Sequence, residues 1–224
     1  MMKYYCKRFL WLLVLNFMMF NDEYQYNNKL CVLAAPTDGF VQVSLSQSNF
    51  QLQKPYDQAR QNRYSNSNGV ERFWVYSNDK PFKQGSPTKP RTEMRISGYD
   101  YTSGVWQFEG NFYVPSGTTG ACIMQVFGAA NQATTLQLRV YDGDLKVYRS
   151  QVVASNIYNR WFKLNVIHDV GNSRLTIFID NSQKVVVGGK GASNFYFKYG
   201  VYAQDGSSNY MESRWSGIKV FKKN

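Results

Sequence analysis

The chain has 224 residues, which is enough for one large domain or two small ones. Its formal net charge of +11 indicates an acidic partner, such as a polyanionic sugar, a small organic acid, a nucleic acid or an anionic surface. The Lys and Arg residues are dispersed, without an Arg-rich block or a recognition-helix pattern, and this argues against nucleic acid.

The first element in chain order is a targeting segment. Basic residues precede the apolar run 9–20, which is too short for a transmembrane helix. Small residues follow around Ala34, so we predict a signal peptide over residues 1–35 and a single mature domain over residues 36–224. The polar stretch 21–30 is long for a signal peptide. It leaves the cleavage site open, with an uncleaved membrane anchor as the alternative.

The targeting segment predicts the secretory pathway, with the extracellular space, the cell wall or the vacuole as destination. Cys6 and Cys31 lie in the segment expected to be removed, so Cys122 would remain without a disulfide partner. One histidine, His168, and one mature cysteine are too few for a typical zinc site. We therefore expect no metal and no other cofactor, and no stable membrane insertion after cleavage.

The mature part alternates short apolar runs with turn signals. The runs that read as strands are 72–76, 93–96, 106–114, 123–127, 136–141, 145–148, 162–168, 175–179, 184–187, 196–202 and 217–221. Asp142-Gly143-Asp144 separates two of them and predicts a tight hairpin. Residues 49–61 are predicted to be helical or irregular. Many short strands with little helical periodicity predict an all-β fold, a jelly-roll β-sandwich.

The stretch 91–95 is the main functional signal. Because side chains alternate between the faces of a strand, Arg91, Glu93 and Arg95 share one face. Two guanidinium groups with a carboxylate between them can bind the carboxylate of a ligand. The alternative is an exposed sheet face with charges paired for solubility.

Two other strands carry polar or aromatic side chains on one face. Tyr196, Lys198 and Tyr202 share a face of the strand 196–202, and Arg139 lies on the polar face of 136–141. If these faces meet on one sheet, they form a basic, aromatic, concave groove suited to an acidic sugar chain. Periodicity does not show that the strands are neighbours.

Several other residues are predicted to be structural. His168 follows the apolar positions of a strand, so we expect a structural histidine beside Asp169. The tryptophans are expected in the core rather than as sugar platforms: Trp106, Trp161 and Trp215. Arg214 is expected to pair with Glu212 on the surface.

Three segments of the chain resemble the motifs of the alginate-lyase type 2 superfamily. The segments are 90–95, 125–127 and 196–202. The superfamily consists of jelly-roll polysaccharide lyases and includes the glucuronan lyases. Within it the chain is most similar to the plant citrate-binding proteins, at residues 73–77, 86–93, 104–110 and 211–215. The similarity runs from about residue 38 to residue 223.

The resemblance implies roles for individual residues. Arg91, Glu93 and Arg95 would line the groove and help to neutralise a uronate carboxylate, with Glu93 orienting the two arginines. Gln125 would bind the same carboxylate, and Lys198 would be a further binding residue. We add Arg139 as an extra cation.

The catalytic roles of the family transfer only in part. The family's lyases remove a proton from C5 of a uronate with a histidine and supply a proton to the leaving O4 with a tyrosine. The tyrosine corresponds to Tyr202, but Phe127 occupies the histidine position. Loss of a general base typically costs about 10²–10⁴-fold in rate. Tyr202 could act as both acid and base if nearby cations lower its pKa.

Two main hypotheses follow. In the first, the protein is a secretory-pathway binding protein, expected to be a monomer, that holds citrate or an acidic sugar in the groove. In the second, it is a polysaccharide lyase that cleaves a glucuronate-containing chain with Tyr202. A weaker third alternative is a lectin-like module without carboxylate specificity.

Overall fold

The computed structural model describes residues 35–130 and 134–223. This part contains two short 3₁₀ helices, Gln47–Asn49 and Arg60–Asn62, and fifteen β-strands. The strands are β1 Val41–Gln42, β2 Phe50–Gln53, β3 Tyr64–Ser67, β4 Val70–Tyr76, β5 Arg91–Ile96, β6 Val105–Tyr113, β7 Ala121–Phe127, β8 Thr134–Tyr141, β9 Asp144–Val147, β10 Gln151–Ala154, β11 Trp161–Asp169, β12 Arg174–Ile179, β13 Ser182–Gly188, β14 Tyr196–Ala203 and β15 Tyr210–Lys223. The predicted signal peptide, apart from Ala35, lies outside the described residues.

The strands form two antiparallel sheets. The front sheet has the order β10-β9-β8-β7-β14-β5-β2. The back sheet has the order β13-β12-β11-β6-β15-β4-β3, and β1 also pairs with β15. Neighbours in the sheets are often distant in sequence, as in a jelly roll. The predicted all-β jelly-roll sandwich is confirmed.

Tight turns join several consecutive strands. The predicted hairpin between β8 and β9 is present, with positive φ at Asp142 (51°) and Gly143 (85°). A second pair, Asn68 (52°) and Gly69 (75°), connects β3 to β4 in the same way. Two successive positive φ angles match the right-handed twist of the flanking strands.

One local prediction was wrong in part. Residues 49–61 were expected to be helical or irregular, but β2 lies within them and pairs with β5 at the edge of the front sheet. The Phe50 and Leu52 side chains of β2 pack against the core, so tertiary pairing decides the conformation of this short segment. Only its remainder is irregular or 3₁₀-helical.

The core lies between the two sheets and is rich in aromatic rings. Trp215 is fully buried and its ring packs against Phe108 and Phe112, while Trp106 is 8% exposed. The expectation that Trp161 also lies in the core was wrong: its residue is 44% exposed. Trp161 is the first residue of β11 and points to the outer face of the back sheet, because the alternate residues of β11 face the core. Among the described residues, no helix is long and apolar enough to span a bilayer.

Candidate functional site

A cleft of about 390 Å³ lies on the outer face of the front sheet. Strands β5, β14, β7 and β8 form its floor, and the loop between β4 and β5 forms one wall. Its lining residues are Gln53, Phe82, Lys83, Ser86, Thr88, Arg91, Gln125, Phe127, Thr134, Gln137, Tyr196, Lys198 and Tyr202.

The strand that carried the main functional signal borders this cleft. Thr92 points inward and its hydroxyl donates to the Trp74 carbonyl of the back sheet at 2.8 Å. Met94 likewise lies in the core. Arg91 and Glu93 therefore occupy the outer face, as the alternation predicted.

Glu93 is fully buried and accepts hydrogen bonds from three side chains of the floor. Arg91 Nη1 lies 3.3 Å and Lys198 Nζ 3.2 Å from Glu93 Oε2. Gln125 Nε2 donates to Glu93 Oε1. The strand register explains this arrangement, because Lys198 pairs with Gln125 on one side and with Arg95 on the other. One carboxylate thus fixes two cations and an amide, and one net positive charge remains.

A chain of hydrogen bonds extends this network across the sheet. Gln125 Oε1 accepts from Thr134 Oγ1 and from Gln137 Nε2, both at 3.4 Å. Gln137 Oε1 in turn accepts from Arg139 Nε at 2.7 Å. Sequence reasoning did not select Thr134 or Gln137 as site residues, although Gln137 lies on the same alternating face as Arg139.

Aromatic rings hold the arginines of β5 in place. The Arg91 guanidinium lies 3.8 Å from the centre of the Tyr202 ring, and that of Arg95 lies 4.0 Å from the Tyr196 ring. Tyr196 also stacks on Phe127, with ring centres 4.7 Å apart and planes 19° apart. Such cation–π contacts reduce the mobility of the guanidinium groups.

Some donors of these arginines have no partner within the described part of the chain. The buried Nε–H groups of Arg91 and Arg95 donate to no acceptor within hydrogen-bonding distance. Arg95 uses Nη2 for Asp100 Oδ2 at 2.5 Å. An unpaired buried donor costs about 1–3 kcal/mol, so an acceptor that reached Arg91 in the cleft would be stabilised.

Gly200 allows β14 to approach β5 closely. A Cβ at this position would lie 2.5 Å from the Thr92 carbonyl oxygen and 2.7 Å from Glu93 Cα. Its φ of +134° is also a backbone conformation that favours glycine. The pairing of β14 with β7 shifts between Tyr199 and Tyr202. Gly200 therefore permits the local geometry that holds Glu93 and Tyr202 next to each other.

The surroundings of Tyr202 shift its hydroxyl towards the protonated form. Burial raises the pKa of Tyr202, and the opposing effect of Arg91 is too small to reverse the shift. Arg91 and Arg139 do lower the pKa of Tyr202, but burial raises it more, so the condition of a net lowering by nearby cations is not met. Phe127, which the resemblance of the motifs assigns to the position of a histidine in the family's lyases, offers no lone pair to accept a proton.

The remaining candidates for a base lie elsewhere. His168 belongs to β11 of the back sheet, where its Nδ1 lies 3.0 Å from the Tyr101 hydroxyl, and burial lowers its pKa to about 4. Glu71 accepts from the hydroxyls of Tyr64 (2.7 Å) and Tyr199 (2.6 Å) in a separate cleft, and burial raises its pKa. The described lining of the front cleft contains no Asp, Glu or His.

The structure brings the predicted site residues together on one sheet, but not all of them line the cleft. The four that do are Arg91, Gln125, Lys198 and Tyr202. Glu93 lies beneath them, and Arg95 and Arg139 flank the cleft. Lys198 is 2% exposed, so it acts mainly as the partner of Glu93. The loop residues Phe82, Lys83, Ser86 and Thr88 were missed, because turn residues give no signal of the surface that they cover.

The chain is similar to proteins of one family. A family model described as alginate lyase matches residues 43–222. A citrate-binding protein of Hevea brasiliensis is 62% identical over 190 residues, which cover 84% of this chain and 80% of that protein.

Solved structures of alginate lyases share the fold. The alginate lyase AlgAT5 of polysaccharide lyase family 7 superposes with a TM-score of 0.63 at 16% identity, covering 83% of this chain and 97% of that one. The alginate lyase of Corynebacterium sp. gives a TM-score of 0.63 at 16% identity, with 79% and 95% covered. The marine alginate lyase of Zobellia galactanivorans gives 0.57 at 15% identity, with 73% and 81% covered.

Proposed function

The chain belongs to the alginate lyase family, and within this family we propose that it is a binding protein that holds a carboxylate ligand without cleaving it. The ligand class is citrate or an acidic sugar, and the binding site is the cleft of the front sheet. The similar Hevea protein carries the name citrate-binding protein, which supports this choice of ligand.

The observation that carries the proposal is the combination of donors and Phe127 in one cleft. Arg91 and Gln125 line the cleft and are held in position by Glu93. Phe127 stands where the family's catalytic base would be and stacks on Tyr196. The donors needed to neutralise a carboxylate are therefore present beside an apolar ring.

The charge and the size of the cleft suit a small polycarboxylate. Lys83 adds an exposed cation on the loop wall, opposite the network of Glu93. A volume of about 390 Å³ lies within the range of about 300–1,000 Å³ that is typical of small-molecule sites. A charge-assisted hydrogen bond contributes about 1.5–3 kcal/mol, so two such contacts give measurable affinity.

Calorimetry with citrate and with an oligoglucuronate tests the proposal. We expect saturable binding of at least one of them, and Arg91→Ala should raise its Kd about tenfold or more. Arg174→Ala, which removes an exposed arginine of the back sheet, is the matched control and should leave the Kd unchanged. Absence of binding by both ligands, or equal Kd values for the parent and Arg91→Ala, would contradict the proposal.

The second candidate function, a lyase for glucuronate-containing chains, rests on Tyr202 beside Arg91 in the cleft. Elimination creates a C4–C5 double bond that absorbs in the ultraviolet. We expect no absorbance rise with polyglucuronate or alginate. A rise that Tyr202→Phe abolishes would replace the binding function by the lyase function.

We also propose that the protein enters the secretory pathway. The basic residues and the apolar run 9–20 support this route. Amino-terminal sequencing of the protein from extracellular fluid and from isolated vacuoles would identify both the compartment and the cleavage site. Absence of the protein from both fractions would contradict the secretory route, and an amino terminus at residue 1 would contradict cleavage of the segment.

A further inference from the structure

The outer face of the back sheet carries a second group of two arginines around one glutamate. Glu212 Oε1 accepts from Arg214 Nε, and Glu212 Oε2 accepts from Arg72 Nη2, both at 2.7 Å. Tyr210 also donates its hydroxyl to Glu212. The Glu212 side chain is 3% exposed, whereas those of Arg72 and Arg214 are 45% and 39% exposed. The carboxylate is thus enclosed and the guanidinium groups face solvent.

Aromatic rings continue this group into a row across four strands. The Arg214 guanidinium lies 5.0 Å from the Tyr113 ring, and Tyr113 packs on Trp161 at 5.6 Å. The cross-strand partners Trp161, Tyr113, Arg214 and Arg72 lie side by side on β11, β6, β15 and β4. Three strand spacings of about 4.8 Å give the row a length of about 14 Å. Arg72 is held over the Trp74 ring at 4.9 Å.

A second cation pair lies on the same face. Glu109 accepts from Lys163 at 3.0 Å and from Lys219 at 3.1 Å, and from Asn165 Nδ2 at 2.9 Å. Lys163 and Lys219 are 37% and 44% exposed. Glu109 is four residues from Tyr113 on β6, so the pair lies about 13 Å along the strand from the row. Each group has two cations and one carboxylate, and therefore one net positive charge.

Pairing with the enclosed carboxylates of Glu212 and Glu109 explains why the cations lie here, but it does not explain the exposed aromatic ring beside them. An exposed tryptophan such as Trp161 leaves apolar area in water. A surface with fixed guanidinium groups next to an exposed ring instead has the chemistry to bind sugars that carry carboxylates. The formal net charge, +11 for the whole chain and +9 for residues 36–224, favours the approach of such a polyanion.

We propose that this face binds an acidic polysaccharide, a polyuronate chain, independently of the cleft. Carboxylates of successive sugars contact the free N–H groups of Arg72 and Arg214 and the exposed lysines, and a sugar ring packs on Trp161. The two surfaces lie on opposite sheets, so a small acid in the cleft and a polymer on the back face do not compete.

Affinity electrophoresis of the mature protein in gels that contain sodium polygalacturonate tests this inference. Every protein in this experiment, including the reference called the parent here, carries Arg91→Ala. This substitution weakens ligand binding in the cleft, so retention in the gel reports binding by the back face. The double variant Arg72→Gln/Arg214→Gln should raise the Kd for the polymer about tenfold or more. Trp161→Ala, which removes an exposed ring and should not disturb folding, should also weaken retention.

The controls separate specific binding from general charge attraction. Arg174→Gln removes one positive charge from the same sheet outside the row and should have little effect. Dextran, a neutral polymer, should not retain the protein, and retention by polygalacturonate should fall as salt rises. Three results would overturn the inference: no retention of the parent, retention of the double variant and Trp161→Ala equal to the parent, or an equal loss in Arg174→Gln. Citrate binding by the protein with Arg91 intact is measured separately, so failure of the cleft proposal leaves this result interpretable.

Discussion

Replacement of Glu93 by Gln should destabilise the fold strongly while preserving the size of the side chain. Glu93 is fully buried and accepts from Arg91, Gln125 and Lys198. In Glu93→Gln, the Lys198 ammonium, of which 2% is exposed, loses its counter-ion. Breaking a buried ion pair on one side costs about 3–5 kcal/mol. A domain of this size loses about 2–4 °C of Tm for each kcal/mol, so we expect a decrease of about 6–20 °C.

The loss of stability in Glu93→Gln should become smaller as pH rises. Burial already lowers the pKa of Lys198 below its ordinary value of 10.5, and Glu93 partly offsets this effect. Without Glu93 the folded-state pKa falls further, while the unfolded-state pKa does not change. At pH values between the lowered folded-state pKa and 10.5 the unfolded chain binds more protons than the folded protein, so the free energy of unfolding rises with pH in that interval. The difference in the free energy of unfolding between the unsubstituted protein and Glu93→Gln should therefore become smaller as pH rises from neutral.

Urea denaturation monitored by tryptophan fluorescence at pH 7 and pH 9.5 measures both effects. The double variant Glu93→Gln/Lys198→Met removes both charges and should be more stable than Glu93→Gln alone. Three results would refute the reasoning: a loss below about 1 kcal/mol at pH 7, a deficit that grows with pH, or strictly additive effects of the two substitutions.

Three further substitutions have defined outcomes. Gly200→Ala should lower the free energy of unfolding, measured by urea denaturation, by about 2–5 kcal/mol, because the new Cβ meets β5 and φ is positive. Gly69→Ala is the control: its φ is also positive, but the space around it is open, so its loss should be smaller. Equal losses would contradict the steric explanation. His168 has a pKa of about 4 in the folded protein against 6.5 in the unfolded chain, so the free energy of unfolding should fall by about 3 kcal/mol as pH falls from 6.5 to 4. In His168→Gln this pH-dependent decrease should be absent. The same pH profile in the variant would exclude His168 as the source of the decrease. Phe127→His should produce an ultraviolet absorbance rise with polyglucuronate that the unsubstituted protein does not give, at a rate about 10²–10⁴-fold above any residual rate, and Tyr202→Phe should abolish it. No rise would show that more than the base is absent.

The faces of the strands could be predicted from the sequence because they depend only on alternation. The outward Arg91 and Glu93, the inward Met94, and the shared face of Lys198 and Tyr202 all follow from the two-residue period. The pairing of β14 between β5 and β7 did not follow, because strand order in a jelly roll is set by non-local contacts. It was the resemblance to the family that placed these strands together.

The errors have physical causes of the same kind. Trp161 was expected in the core because of its residue type. In β11, however, it belongs to the alternate residues that face outward, so its side chain lies on the outer face. The pKa of Tyr202 was tied to nearby cations, but burial has the larger effect. Gln137 was on the correct face of its strand, and its importance appears only when the Gln125 amide lies beside it. Each error concerns what surrounds a residue, which a one-dimensional pattern does not contain.

Binding a carboxylate ligand and cleaving it require different groups in the cleft. A ligand carboxylate needs hydrogen-bond donors, and Arg91 and the protonated hydroxyl of Tyr202 are donors. Elimination needs, in addition, a group that accepts a proton near neutral pH. Because burial raises the pKa of Tyr202, its phenol keeps its proton, and Phe127 cannot accept one. Under the proposed binding function, the donors of the described lining hold a carboxylate, and Phe127→His is the substitution that tests whether a base at residue 127 adds cleavage.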